Sequence, residues 1–255
     1  GTLVEGHPPG ASVGALCHIQ PSNCPRPTLA EVVGFRDDVA LLMPFGDPRG
    51  IHHGATITPT AAEFRVPGGE NLLGRIVEAF GRPIDKKGPI APEAMVSVIQ
   101  DTVNPLDRAL IEEPIDVGVR AINGMLTVGR GQRMGIFAGS GVGTSTLLGM
   151  IARNTEADVV VLGLVGERGR EVREFIERDL GPEGLKKSVV VCVTADKPAA
   201  LRVKGCFVAT SIAEHFCRQG KNVLLLVDSI TRFAMAQREI GLAAGEPPTS
   251  KGYTP

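Results

Sequence analysis

Ala138-Gly139-Ser140-Gly141-Val142-Gly143-Thr144-Ser145 lies between two apolar stretches, Arg133-Met134-Gly135-Ile136-Phe137 and Leu147-Leu148-Gly149-Met150-Ile151. The first reads as a strand and the second as a helix, and a Gly-rich loop between them is the setting of a phosphate-binding loop. Gly139, Gly141 and Gly143 permit backbone angles that let consecutive N–H groups converge on phosphate oxygens. The helix N-terminus behind them adds partial positive charge. Gly139, Ser140, Gly141, Val142, Gly143, Thr144, Ser145 and Thr146 are therefore the candidate nucleotide-binding residues, with the Ser145 hydroxyl where Mg²⁺ is held. One position departs from the pattern, because Thr144 stands where a lysine normally reaches between the β- and γ-phosphates. Losing a charge-assisted hydrogen bond costs about 1.5–3 kcal/mol, and a cation that steadies transition-state charge is missed more in turnover than in binding. Two readings stand at this point: a nucleotide site with impaired hydrolysis, or a Gly-rich turn without a ligand.

Downstream, Asn222-Val223-Leu224-Leu225-Leu226-Val227-Asp228 reads as a buried parallel strand ending in a carboxylate. Ligands of α/β sheets sit at the carboxyl ends of strands, which makes Asp228 a candidate Mg²⁺ ligand through water. Its alternative is a helix cap or turn residue. Asp158-Val159-Val160-Val161-Leu162-Gly163-Leu164-Val165 is a second such strand, and it runs into the charged Gly166-Glu167-Arg168-Gly169-Arg170-Glu171. Glu167 is the candidate general base that polarises an attacking water, Arg168 the candidate γ-phosphate contact, and Glu171 a further candidate metal ligand beside Ser145 and Asp228. Beyond Glu171, the charges at Arg173, Glu174, Glu177 and Arg178 fit i,i+3 and i,i+4 pairs on a solvated helix.

Together with Leu73-Gly74-Arg75, Gly81-Arg82-Pro83-Ile84-Asp85, Gly118-Val119-Arg120-Ala121-Ile122-Asn123-Gly124, Gly129-Arg130-Gly131-Gln132-Arg133 and Asp228-Ser229-Ile230-Thr231-Arg232-Phe233-Ala234, these stretches resemble the catalytic subunits of rotary ATP synthases. The flagellum-specific and type III secretion ATPases look nearest, through Gly245-Glu246-Pro247-Pro248-Thr249-Ser250-Lys251-Gly252-Tyr253. The resemblance covers almost the whole chain. It implies a RecA-like α/β P-loop core with a mostly parallel sheet, preceded by a small N-terminal β-barrel, and ATP and Mg²⁺ as substrate and cofactor. It further implies a homo-oligomeric ring, a hexamer, at the cytoplasmic face of the plasma membrane. The ring would work with export-gate and stator components and chaperone-bound export substrates, coupling ATP hydrolysis to protein export. Matched residue by residue, the family's catalytic glutamate falls on Glu167, its phosphate-contacting arginine on Arg168 and its magnesium aspartate on Asp228.

Against the same pattern, Lys197 replaces an acidic residue, Val203-Lys204-Gly205-Cys206 alters an Arg/Ala helix, and His215, Cys217 and Arg218 replace Tyr, Arg and Asp. The resemblance also places the family's later strands, trans-acting arginine, adenine-pocket aromatics and C-terminal helical domain beyond Pro255. A second function class is thus kept beside the export ATPase: a non-catalytic ring or assembly subunit that at most binds nucleotide. A rotary synthase β subunit is disfavoured by the Gly245–Tyr253 stretch.

A net charge of −1 on 255 residues gives no basic footprint, which argues against nucleic acid as the principal ligand. The sequence holds no run of 18 uncharged apolar residues and no recognisable signal peptide, so any membrane association is expected to be peripheral. Cys17, Cys24, Cys192, Cys206 and Cys217 lack paired metal-site spacing and read as reduced thiols of a cytosolic protein. His52-His53 reads as a solvated loop. Upstream of residue 70, short pieces such as Ala30-Glu31-Val32-Val33-Gly34-Phe35 and Val39-Ala40-Leu41-Leu42-Met43-Pro44 alternate with turns in the cadence of a small barrel. The expected organisation is a barrel over 1–70, a connector packed on the core over 71–117, Pro-rich and irregular from 83, and a nucleotide-binding core over 118–255 in which strands and helices alternate.

Overall fold

A computed structural model of the chain describes residues 3–22, 26–60, 63–139 and 141–255. Ser140 of the glycine-rich loop and Cys24 lie outside the described residues.

The N-terminal part is a five-stranded antiparallel, barrel-like sheet of β1 (Val4–Gly6), β2 (Leu16–Gln20), β3 (Thr28–Arg36), β4 (Val39–Pro44) and β5 (Thr56–Pro59), ordered β1-β4-β3-β2-β5. Inward-facing Cys17, Ile19, Ala30, Val32, Ala40 and Leu42 are fully buried, which is the period-two pattern that a half-buried strand requires. A bulge between Val32 and Gly34 shifts the β3–β4 register.

β6 (Arg65–Gly68) and β8 (Ala94–Ser97) then form a two-stranded antiparallel ribbon, while β7 (Arg75–Val77) between them leaves to join the second sheet. That sheet is parallel and ordered β11-β9-β10-β7, with β9 (Val159–Val165), β10 (Ser188–Val193) and β11 (Val223–Asp228). The helices are α1 (Arg120–Met125), α2 (Thr144–Asn154), α3 (Gly169–Glu174), α4 (Gly181–Lys186), α5 (Ala199–Arg218) and α6 (Ile230–Ala244), with a single π-helical stretch at Phe175–Leu180.

Alternate residues of β9 explain why helices cover both faces of this sheet. Val159 and Val161 pack with Val208, Ala209, Ile212 and Phe216 of α5. Val160, Leu162 and Leu164 pack with Leu148 and Ala152 of α2 and with Phe175 and Leu180. A strand apolar at every position is stable only when both faces are covered. Glycine makes two of these approaches possible: a Cβ on Gly149 would lie 2.6 Å from the Asp179 carbonyl oxygen, and one on Gly163 would lie 3.2 Å from Ala209 Cβ.

The two sheets share a core. Phe45, Phe64 and Phe80 bring their ring centroids within 5.2–6.1 Å of one another at the junction. There, Lys204 of α5 lies over the Phe64 ring, 5.7 Å from its centroid.

One expectation is corrected. Arg133–Phe137 is not a strand: it is extended chain without a ladder, with Phe137 94% and Met134 50% exposed. An apolar pattern supplies propensity, but a strand exists through its hydrogen-bonded neighbours. β11 is the edge of the parallel sheet, and its residues are only half-buried. No described segment pairs with its outer side, so the strand-loop-helix context is realised in its loop-helix half alone.

Candidate active site

The glycine-rich loop closes on α2 as its sequence requires. Gly141 (φ 77°) and Gly143 (φ 92°) occupy left-handed conformations, and Gly143 is the N-cap of α2, its carbonyl accepting from Leu147 N at 3.0 Å. A Cβ at either glycine would meet nothing within 4 Å, so these glycines serve backbone conformation and not close packing. Thr144 begins the helix half-buried, while Val142, Ser145 and Thr146 are exposed. Gly139 is exposed at the end of the unpaired stretch. The first turn of α2 carries no acidic residue and no side-chain cap, leaving its N–H groups available to an anion.

The charged cluster is assembled at the carboxyl edge of the parallel sheet. Asp228 ends β11 in register with Leu164 of β9, and Glu167 follows the last residue of β9, Val165, two positions later. Gly166 (φ 76°) turns the chain there and donates its N–H to the Val193 carbonyl at 2.7 Å. The Glu167 carbonyl in turn accepts from Ala195 N at 3.0 Å. Any Cβ on Gly166 would lie 2.7 Å from Arg232 Cβ, so the glycine is what admits this side chain of α6. Ser229 caps α6 by accepting from Arg232 N at 3.4 Å, and that cap puts Arg232 on the first turn, its Nε 3.8 Å from Glu167 Oε1.

Electrostatics divide the carboxylates. Burial pushes the Glu167 carboxyl up to about 7, reinforced by its hydrogen bond with Glu171 and by the charge of Asp228 and opposed by Arg232. Glu171 is held below its ordinary range, chiefly by that same hydrogen bond and also by Arg168. Burial raises Asp228, against the pull of Arg232. The shared hydrogen bond and the burial favour the proton on Glu167 over Glu171, and Arg232 supplies positive charge beside both. A carboxyl with a pKa near neutrality is suited to accept a proton from water.

The structure thus brings together Glu167, Glu171 and Asp228. Arg168 is the N-cap residue of α3, 74% exposed, with Nη1 3.3 Å from Glu171 Oε1. Arg232 is the member that sequence reasoning passed over, although Ser229 before an apolar helical run is a cap signal that places residue 232 beside the strand end. The charges past Glu171 behave as expected, with Arg173 bonded to Glu177 at 2.8 Å and Arg178 to Glu174 at 2.5 Å. Among the described residues no cluster of three or more His, Cys, Asp or Glu has metal-cage geometry, and Cys17, Cys192, Cys206 and Cys217 are free thiols. His52 and His53 belong to a loop in which His52 accepts from Ser22 N at 3.2 Å.

Two family models match the chain: the nucleotide-binding domain of the ATP synthase alpha/beta family over residues 118–255, and the beta-barrel domain of the same family over residues 1–61. The chain belongs to the ATP synthase alpha/beta family. Within that family it is 54% identical to the flagellum-specific ATP synthase of Bacillus subtilis (strain 168), covering 100% of this chain and 58% of the relative. It is 49% identical to the type 3 secretion system ATPase of Xanthomonas euvesicatoria, again over 100% of this chain and 58% of the relative. The assembled ATPase EscN of the enteropathogenic E. coli type III secretion system superposes with a TM-score of 0.91 at 46% identity, over 100% of this chain and 61% of EscN. The chain therefore spans less than two thirds of the length of these family members.

Proposed function

We propose that this chain is the nucleotide-handling part of a flagellum-specific or type III export ATPase, working slowly because Thr144 replaces a cation. The observation that carries the reading is the convergence of Glu167, Glu171, Asp228 and Arg232 at the carboxyl ends of β9 and β11. Relatives near 50% identity bear the names flagellum-specific ATP synthase and type 3 secretion system ATPase, which favours slowed hydrolysis over a subunit that only holds nucleotide.

In this reading ATP is the substrate, its phosphates received by the N–H groups of residues 139–146 at the N-terminus of α2. Ser145 hydroxyl, Asp228 and Glu171 are oxygen donors of the kind a hard cation takes, and would hold Mg²⁺ directly or through water. When bound, the ion neutralises charge on the β- and γ-phosphates. Glu167 ionises, orients a water for in-line attack and takes its proton. Arg232 and Arg168 stabilise charge on the transferred phosphoryl group. Thr144 offers a hydroxyl but no charge, so turnover suffers more than affinity.

The proposed organisation is a barrel over 1–70, a connector over 71–117 and a catalytic core over 118–255. The proposed assembly is a homo-oligomeric ring, supported by the assembled state of EscN and its complex with the central stalk EscO. Export-gate and stator components and chaperone-bound substrates are the proposed partners, and nucleic acid is not among them. The proposed location is the cytoplasm, peripheral to the plasma membrane; among the described residues no helix is long and apolar enough to cross one.

The deciding experiment is Mg·ATP titration calorimetry on this chain beside Thr144→Lys. Binding by both, with faster hydrolysis by the lysine variant, is the expected result. Binding by the lysine variant alone would overturn the reading of residues 139–146 as a working phosphate cradle.

A further inference from the structure

A cleft of about 840 Å³ opens between the barrel-like sheet and the parallel sheet, away from the loop at α2. Its walls are the end of β4 with the turn at 44–48, the turn at 78–84, and the segment 192–202 that leads from β10 into α5. The apolar part is formed by Met43, Phe45, Ala79, Ile84 and Leu201, and Ile84 is 49% exposed.

Six acidic or basic side chains line it: Asp47, Glu78, Asp196, Lys197, Arg202 and Glu239. Most are neutralised locally. Asp47 is bonded to Arg49, Asp196 lies 3.6 Å from Lys197, and Arg202 donates to Glu239 at 2.5 Å. Glu78 differs. Its Oε1 accepts from the backbone N–H groups of Phe80 (3.0 Å) and Arg82 (3.2 Å), and the tight turn is closed by Glu78 N to Arg82 O at 2.9 Å and Gly81 N to Glu78 O at 2.8 Å. The turn fixes the carboxylate through one oxygen. Among the described residues no donor bonds Oε2 and no cation lies within ion-pair distance of Glu78, although the charges of Arg82 and Lys197 act on it against the effect of its burial. A half-buried carboxylate on the wall of a cleft, held by the turn through one oxygen, is complementary to a guanidinium that can bring both charge and directed N–H groups.

We propose that this cleft docks an extended segment of a partner protein, which inserts an arginine against Glu78 and rests a neighbouring apolar side chain on Phe45 and Ile84. The charge pattern selects the cation, since the carboxylates other than Glu78 already have partners. The apolar wall selects a residue next to it, and a cleft of about 840 Å³ suits a chain and not a lone amine. The site stands apart from the nucleotide reading and does not depend on it.

The test uses the peptide acetyl-Leu-Arg-Leu-amide and its citrulline counterpart, titrated into the whole chain while backbone amide resonances are followed. The arginine peptide is expected to shift Ala79, Ile84 and Lys197, and the citrulline peptide to bind about tenfold more weakly or worse, the equivalent of 1.4 kcal/mol. Glu78→Gln keeps an oxygen for Phe80 and Arg82 and is expected to erase the preference for arginine. Ile84→Ser is expected to weaken both peptides and keep the preference. The proposal is overturned if the arginine peptide leaves those resonances unmoved or if both peptides bind alike. It also falls if Glu78→Gln instead abolishes self-association, which would make a second copy the occupant. The citrulline comparison needs no variant, so it decides the matter even if Glu78→Gln fails to fold.

Discussion

Lys204 of α5 donates to Glu31 of β3 at 2.6 Å, and the two side chains are only 9% and 13% exposed. A charge-charge bond shielded in this way fastens the barrel-like sheet to the parallel sheet. Burial of two ions is costly in itself, so the pair specifies alignment more than it adds stability. Removing one partner strands the other charge. Lys204→Met is expected to cost about 3–5 kcal/mol in urea unfolding, whereas Lys204→Met combined with Glu31→Leu should recover most of that loss.

Glu167→Gln should lower Mg·ATP turnover by about 10²–10⁴, the usual range for a positioned base, and leave nucleotide affinity within a few-fold. Steady-state rates and calorimetry on the same preparation separate the two. Equal losses in rate and affinity would assign Glu167 to binding.

The pH dependence of the same group has a definite sign. The Glu167 carboxyl sits at about 7 in the fold against an ordinary 4.5, so folding favours its neutral form. That contribution to stability is complete below about pH 4.5 and is lost as the pH rises through about 7. Turnover should run the opposite way, rising through about 7 as the base ionises. Glu167→Gln should flatten the stability profile over that interval, which chemical denaturation at several pH values will show.

Asp85 gives the reverse case at the other edge of the sheet. Arg75 of β7 donates to it through Nε at 2.7 Å and Nη2 at 3.0 Å, and the N–H groups of Lys87 and Ile76 add 3.0 and 3.2 Å bonds. Burial alone would raise its carboxyl, but these donors outweigh it and hold it at about 2, below the ordinary 3.8. Its contribution is therefore present above about pH 3.8 and lost as the pH falls through about 2. Asp85→Asn should shallow the acid limb of unfolding while leaving the neutral-to-alkaline profile unchanged in shape.

Much of this was legible from residue order. The runs at 158–165 and 222–228 are strands because uniform apolarity fits a sheet covered on both faces, and Glu167, Glu171 and Asp228 meet because both strands end at one edge. The cadence at 30–44 announced β3 and β4. What stayed hidden depends on long-range partners. Arg133–Phe137 has strand composition but forms no ladder among the described residues. Lys204 and Glu31 are 173 positions apart, and nothing local in either marks a bond. Gly74-Arg75 and Ile84-Asp85 stand apart in the sequence, and only the fold turns them into one ion pair between Arg75 of β7 and Asp85.

The backbone hydrogen bond from Ala195 to Glu167 ties two parts of the fold together. Ala195 forms part of the wall of the cleft that Glu78 faces, and its N–H holds the carbonyl of Glu167. The two places are separated by a partition one hydrogen bond thick. Should both proposed occupants bind, any effect of one on the other's affinity must be returned by the same factor, so the hydrogen bond between Ala195 and Glu167 is the place where a docked segment and a phosphate would feel each other.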